Sequence, residues 1–330
     1  MEPPTSPNLF EAIGLEDKIT HIYGDIRDAK SLNAAFEMHQ PEIVLHSAAQ
    51  SLVRYSYSQP VETYETNILG TVNVFEAIRN NPSVNVVVNV TSDKCYENKE
   101  IDYAYKETDP MGGHDPYSSS KGCAELVTAA YRNSFFTKES SASLASVRAG
   151  NVVGGGDWAK DRIVPDCVRA LSTGKQIEVR SPKSIRPWQH VLEPLSGYLW
   201  LASLMWHDRS QYNEAWNFGP ENTNNLVVGQ VVEKIINNWG SGSWQVSGSD
   251  NQLHEAKLLK LDNSKAKQLL GWYPVYDAEK TFSATAKWYQ AYYENPKNAF
   301  ALCKQDIADY VDEAKNKQVK WSLSDSKVGV

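Results

Sequence analysis

The run Val84-Asn85-Val86-Val87-Val88-Asn89-Val90 constrains this chain more than any other segment. It is apolar, of strand length, and reads as a buried β-strand. It ends in Thr91-Ser92-Asp93-Lys94-Cys95-Tyr96. Open α/β sheets gather their reactive groups beyond the carboxyl ends of their strands, so this strand delivers Ser92, Asp93 and Lys94 to such an edge. Further along stands Tyr117-Ser118-Ser119-Ser120-Lys121, a phenol and an ammonium one helical turn apart and facing one cavity. A lysine there favours tyrosinate, which can take a hydroxyl proton near neutral pH. One string supplies a base for oxidation; the other supplies a further acid/base pair.

The surrounding pattern alternates. Ile19 to Tyr23 reads as a short strand, and Asp28 caps a helix to about His39. Glu42 to His46 is a buried strand ending at Ser47-Ala48-Ala49-Gln50. Pro60 to Asn80 carries Ile68, Val72, Phe75 and Ile78 as a helical stripe. A helix from about Tyr117 to Phe135 and a strand from Leu144 to Val153 follow, closed by Gly154-Gly155-Gly156. Strands alternating with helices at this spacing predict an α/β fold with a parallel, doubly wound sheet. After Gly156 the pattern loosens into shorter strands and helices. The expected division is a first domain over 1–155 and a smaller α/β domain over 156–330, interleaved with it. The last thirty or so residues are polar, a peripheral helix or a tail.

With 33 basic and 40 acidic residues the formal charge is −7, which gives no electrostatic reason to expect nucleic acid or an anionic membrane as partner. The seven His show no ligand spacing, so no metal is expected. Cys95, Cys123, Cys167 and Cys303 lie far apart, which argues against a disulfide framework and fits a reducing cytoplasm. The opening Met1-Glu2-Pro3-Pro4-Thr5-Ser6-Pro7 lacks the basic region and apolar core of a signal peptide.

Five strings then stand in a telling order: Gly24-Asp25-Ile26-Arg27-Asp28, Thr91-Ser92-Asp93-Lys94-Cys95-Tyr96, Met111-Gly112-Gly113-His114-Asp115-Pro116-Tyr117, Arg148-Ala149-Gly150-Asn151-Val152-Val153-Gly154-Gly155-Gly156-Asp157-Trp158 and Ile185-Arg186-Pro187-Trp188-Gln189-His190-Val191. In this order and spacing they resemble the extended short-chain dehydrogenase/reductases that modify nucleotide sugars, in the branch of NAD-dependent dehydratases. The likeness runs from about Pro3 to Tyr293. It implies a Rossmann-type sheet holding NAD and a smaller domain holding a nucleotide sugar. It places Asp25 and Ile26 beside the adenine, Ala48, Ala49 and Gln50 along the cofactor diphosphate, and Asn67 in support of the active-site face. From the residues alone, Asp25 serves equally as a turn residue and Asn67 as a helix hydrogen-bonding group. The family opens with a strand, a Gly-x-x-Gly-x-x-Gly turn and a helix, and Gly14 and Gly24 do not supply that turn. The expectation is therefore a sheet without an opening βαβ unit of roughly 30 to 40 residues, which puts NAD binding in question.

The implied chemistry is loss of water from CDP-glucose. Tyr117, with Lys121 and Ser92, takes the C4 hydroxyl proton while NAD accepts the hydride. Asp93 protonates the departing C6 hydroxyl, for which it must be a neutral acid, a state that burial favours. Lys94 stands where the dTDP-sugar dehydratases carry a glutamate. It is either the C5 base, neutral through desolvation, or an electrostatic support for the enolate. Asn151, Arg162, Arg186 and His254 are carried over as substrate-binding residues; a guanidinium suits a diphosphate because its fork bonds two oxygens. Trp158 and Trp188 serve equally for the pocket or for packing, and Arg148 reads as structural. The resemblance also implies a homodimer through the helices beginning near Pro60 and Tyr117. The competing readings are a nucleotide-sugar 4-epimerase, which uses Tyr117 and Lys121 without Asp93 and Lys94, and a cofactor-free remnant acting as a binding protein.

Overall fold

The structure, a computed structural model, describes residues 5–137, 142–221, 225–247 and 258–323. In chain order the strands are β1 (Ile43–His46), β2 (Val86–Val90), β3 (Ala104–Tyr105), β4 (Ser143–Ala149), β5 (Asn151–Val153), β6 (Ile177–Val179), β7 (Ile185–His190), β8 (Ala215–Phe218), β9 (Asn225–Val227), β10 (Trp244–Val246) and β11 (Lys260–Leu261). The helices are α1 (Leu9–Ala12), α2 (Ala29–His39), α3 (Val53–Ser58), α4 (Pro60–Tyr64), α5 (Gly70–Arg79), α6 (Pro116–Ser134), α7 (Ile163–Ser172), α8 (Leu192–His207), α9 (Val228–Trp239), α10 (Ala278–Glu294) and α11 (Ala299–Asn316).

The main sheet runs β1-β2-β4-β8, parallel at every pairing. The valine run explains itself here. Val86 and Val88 pack with Ala145, Val147 and Trp216 beneath α8, while Val87 packs with Leu144, Phe75 and Ile78 beneath α5. A parallel strand covered by helices on both faces has no polar face, hence the valines; Asn89, the polar member of β2, is buried with its amide donating to Thr128 Oγ1 at 2.8 Å. A second sheet, β5-β7-β9, and the pairs β6–β10 and β3–β11 stand beyond the carboxyl ends of the main strands. A large core of residues from α7, α9 and α10 packs on the second sheet.

Four expectations are corrected. Residues 19–23 form no strand; a strand needs a hydrogen-bonded neighbour, and this segment has none among the described residues, leaving Ile19, Ile22 and Tyr23 exposed. The strand expected over Leu144–Val153 breaks at Gly150, after which the chain leaves the main sheet and joins the second one. A Cβ at Gly150 would lie 3.1 Å from Pro187 Cγ and 3.4 Å from Asp93 Oδ2, so the crossing suits the smallest residue. The helix over 60–80 is interrupted by a π-helical turn, Glu65–Leu69. The strand expected as buried over Glu42–His46 is β1, the outer strand of the described main sheet, and it leaves Ile43 and Leu45 exposed because no described strand or helix covers them. The polar end of the chain is the helix α11, which buries Tyr310 and Ala314 against Val275 and Tyr276.

Candidate active site

Beyond β2 the chain makes a 3₁₀ turn, Asp93–Cys95, capped by Ser92, whose Oγ accepts from Lys94 N at 3.3 Å. Ser92 Oγ also donates to Asp93 Oδ1 at 3.1 Å, and Lys94 Nζ lies 3.6 Å from that oxygen. Asp93 is almost fully buried, and its Oδ2 has no partner among the described residues. The start of α6 is fixed by Asp115, which accepts from Ser118 N at 2.9 Å and Ser118 Oγ at 2.6 Å, and by Pro116 in the first turn. Gly112 lies so close to α6 that a Cβ on Gly122 would stand 2.4 Å from its carbonyl oxygen. This arrangement turns Tyr117 and, one turn later, Lys121 inward.

Burial pushes the Tyr117 phenol up to about 12, against a hydrogen bond with Ser92 and the charge of Arg162. Desolvation thus favours the neutral phenol, against the ionised form expected beside Lys121. Desolvation likewise brings Lys121 down to about 8, with the Glu125 carboxylate pulling the other way. Lys121 Nζ donates to Val90 O at 3.3 Å. An ammonium carries three hydrogens, so two can serve ligand hydroxyls.

On the opposite flank, Ser47 and Ala48 leave β1 exposed and small. Asn67, inside the π turn, accepts from Gln50 N at 2.8 Å and donates to Gln50 O at 3.0 Å and Ser120 Oγ at 2.8 Å. It ties the loop after β1 to the helix of Tyr117, as single-turn π bulges often do at functional sites. The small loop, the spare donors of Lys121 and the inward Tyr117 fit a dinucleotide's diphosphate and nicotinamide ribose. Asp25 holds Arg27 in a bidentate pair at 2.6 to 3.1 Å, which keeps its carboxyl below the usual range, and Ile26 packs on α5 at Gly70.

A cavity of about 950 Å³ lies between the Ser92 turn, the start of α6 and the second sheet; Tyr117 lines it, while Lys121, Asn67 and residues 48–50 do not. Ser92, Asp93, Lys94 and Tyr117 form one wall, and Asn151, Arg162 and Arg186 form the other. Asn151 Oδ1 is buried and unpartnered among the described residues. Arg162 pairs with Asp157 at 2.9 Å, and Arg186 NH1 donates to Ile185 O at 2.9 Å. Trp188 lines the cavity and also packs on Phe282; Trp158 is a core residue among Trp288, Tyr289 and Tyr292. His254 lies outside the described residues. Arg54 and Arg180 were not anticipated; both line the cavity and meet at Asp161, at 3.7 and 2.5 Å. Glu125 was also missed, although its spacing four residues after Lys121 puts it on the same helix face. Among the described residues no group of three His, Cys, Asp or Glu could hold a metal, and no helix is long and apolar enough to cross a membrane.

Residues 8–285 match the family described as GDP-mannose 4,6 dehydratase. The chain is 48% identical over 316 residues to the CDP-glucose 4,6-dehydratase of Salmonella typhimurium, covering 94% of this chain and 88% of that protein. Among solved structures, it is similar to the dTDP-glucose 4,6-dehydratase DesIV of Streptomyces venezuelae with NAD bound, at a TM-score of 0.69 and 24% identity over 82% of this chain and 79% of that one. It is equally similar to a UDP-glucose 4-epimerase of Thermotoga maritima, at a TM-score of 0.70 and 20% identity over 81% of this chain and 83% of that one. Both show an α/β fold of the Rossmann type.

Proposed function

The chain belongs to the GDP-mannose 4,6-dehydratase family, and from that premise we propose that it is a hydro-lyase converting CDP-glucose to CDP-4-dehydro-6-deoxyglucose and water. One observation carries the reading: the Tyr117 phenol and the Asp93–Lys94 couple line one cavity, with Ser92 between them in the chain turn. A dehydratase needs both an oxidation base and a separate acid/base pair, whereas a 4-epimerase needs only the first. The cytidine nucleotide follows the Salmonella relative.

Ala48, Ala49 and Gln50 would line the diphosphate of NAD, with Asn67 holding their loop, Tyr117 and Lys121 at the nicotinamide ribose, and Asp25 and Ile26 toward the adenine. Bound NAD supplies a hydride acceptor for C4 and a hydride donor for C6. Tyr117, ionised, takes the proton of the C4 hydroxyl, with Ser92 bonded to its oxygen and Lys121 offsetting its charge. The C4 carbonyl acidifies the C5 hydrogen. Asp93 gives its proton to the departing C6 hydroxyl, which leaves as water. Lys94, beside it, either takes the C5 proton and returns a proton to C5 once C6 has received hydride, or balances the enolate while another base takes and returns that proton. Asn151, Arg162 and Arg186 would hold the nucleotide diphosphate sugar, joined by Arg54 and Arg180.

We place the boundary between the cofactor-binding and the substrate-binding domains near residue 155, where the chain has crossed from the main sheet to the second. We infer a homodimer through the side where α4, its π turn and α6 lie together. Tyr64 Oη meets Ser119 Oγ there at 2.7 Å, and Val61, Leu69 and Leu126 are exposed. The cytoplasm, where nucleotide sugars and NAD are held, is its expected compartment.

The test is incubation with NAD and CDP-glucose. The expected product has lost one water, carries a 4-ketone, and leaves the cofactor oxidised. A C4 epimer as sole product would establish the epimerase instead. A folded chain that binds neither NAD nor CDP-glucose would support the cofactor-free reading.

A further inference from the structure

Behind the cavity wall lies a buried ion pair, neither member of which lines the cavity. Arg148 NH2 donates to Glu125 Oε2 at 2.7 Å, and both side chains are 4% exposed. Glu125 stands on α6, one turn beyond Lys121. Its Oε1 accepts from Thr91 Oγ1 at 2.5 Å, and its Oε2 also accepts from Ser146 Oγ at 2.8 Å. Arg148 NH1 donates to Tyr96 Oη at 2.7 Å, with the guanidinium 4.9 Å from the centre of that ring. Tyr96 Oη in turn donates to Asn217 Oδ1 at 2.7 Å, on β8.

Thr91 immediately precedes Ser92, and Tyr96 immediately follows Cys95. The turn bearing Ser92, Asp93 and Lys94 is thus gripped at both ends by one ion pair. The acidic half of that pair rides on the helix bearing Tyr117 and Lys121. Resting on the dehydratase reading, we propose that Glu125 and Arg148 are positioning residues. They hold the elimination groups, Asp93 and Lys94, in register with the oxidation groups, Tyr117 and Lys121, so that one bound sugar meets both.

The physical ground is the kind of bond at each place. α6 is fixed by its own Asp115 cap, and the turn is tied by backbone from Gly112 N to Cys95 O at 2.8 Å and by the Tyr96–Met111 bridge, but the side-chain bonds that join its two ends to α6 run through Glu125 and Arg148. Loosening the ends shifts Asp93 and Lys94 relative to Tyr117. Misplacement by about 1 Å can cost about 10²-fold in rate. The oxidation half should lose less.

The test uses Thr91→Val and Tyr96→Phe, which each remove one hydroxyl and leave the ion pair in place, with Thr91→Ser as the conservative control. Two quantities are read with NAD and CDP-glucose: the appearance of reduced nicotinamide, and solvent deuterium at C5 of the product. A third, needing no ligand, is amide hydrogen exchange of the 91–96 segment by mass spectrometry. The expected result is faster exchange in that segment, C5 labelling slowed by about 10- to 10²-fold with nicotinamide reduction slowed much less, and recovery in Thr91→Ser. A proportional fall of both steps, or unchanged exchange with an unchanged ratio, overturns the proposal. If the unsubstituted protein neither reduces NAD nor dehydrates CDP-glucose, the dehydratase reading fails first and the proposal falls with it.

Discussion

Lys94 Nζ stands 3.6 Å from Asp93 Oδ1, while the second oxygen of that carboxyl is buried without a partner among the described residues. The couple is held from one side only, and its open oxygen lies near Gly150, where the chain crosses between sheets. Asp93→Asn keeps the shape and removes the proton donor. Dehydration is expected to fall by about 10²–10⁴, the usual worth of a general acid, with C4 oxidation retained. Lys94→Ala is expected to slow deuterium exchange at C5. Exchange at the original rate would remove Lys94 from the proton transfer.

Tyr117→Phe removes the oxidation base and should lower reduction of NAD by about 10²–10⁴. Because burial pushes this phenol up to about 12, the oxidation step should speed up as pH rises through the neutral range. KM for the nucleotide sugar should change little, since the phenol acts in the transition state. A proportional rise in KM with no loss of kcat would make Tyr117 a binding group only.

Glu193 gives a stability prediction far from the chemistry. It accepts from Val275 N, Tyr276 N and Tyr310 Oη, and so fixes α11 to α8, but burial pushes its carboxyl from 4.5 up to about 7. A carboxyl raised in the folded state binds its proton more tightly there than in the unfolded chain. Its contribution is therefore full below pH 4.5 and is lost as pH rises through about 7. Relative to Glu193→Gln, the protein should lose about 3 kcal/mol across that window, read by urea denaturation at several pH values. A flat difference would mean that the carboxyl is not raised.

Arg148→Met should destabilise the fold by about 3–5 kcal/mol, because it strands Glu125 as a buried, unpaired charge. The double variant Glu125→Leu with Arg148→Met should regain much of that stability, since apolar groups can replace a buried pair. Regained stability with a still-altered ratio of oxidation to elimination would separate positioning from folding. Urea denaturation reads the stability, and nicotinamide reduction against C5 deuterium reads the ratio, on the same samples.

Leu126→Glu places a charge on the exposed apolar side of α6. The expected outcome in sedimentation velocity is a shift from dimer to monomer with the melting temperature nearly kept. A species of unchanged size would move the interface elsewhere.

What was legible from sequence alone were the features written in local pattern. The valine run requires a strand buried on both faces, and its end places Ser92, Asp93 and Lys94 at a sheet edge. The spacing of Tyr117 and Lys121 specifies a helix presenting both to one side. These follow from periodicity, which acts over a few residues. The tertiary structure decided what depends on distant partners. Residues 19–23 have strand-like side chains but no described neighbour to pair with. One apparent strand over 144–153 became two at Gly150, because Asp93 and Pro187 crowd that point. Arg148 turned from a structural residue at a strand end into the partner of Glu125, 23 positions away in sequence. The weakened acidity of Tyr117, whose pKa its burial raises, also emerged only with the packing around it, since desolvation is a property of the packed interior rather than of a motif.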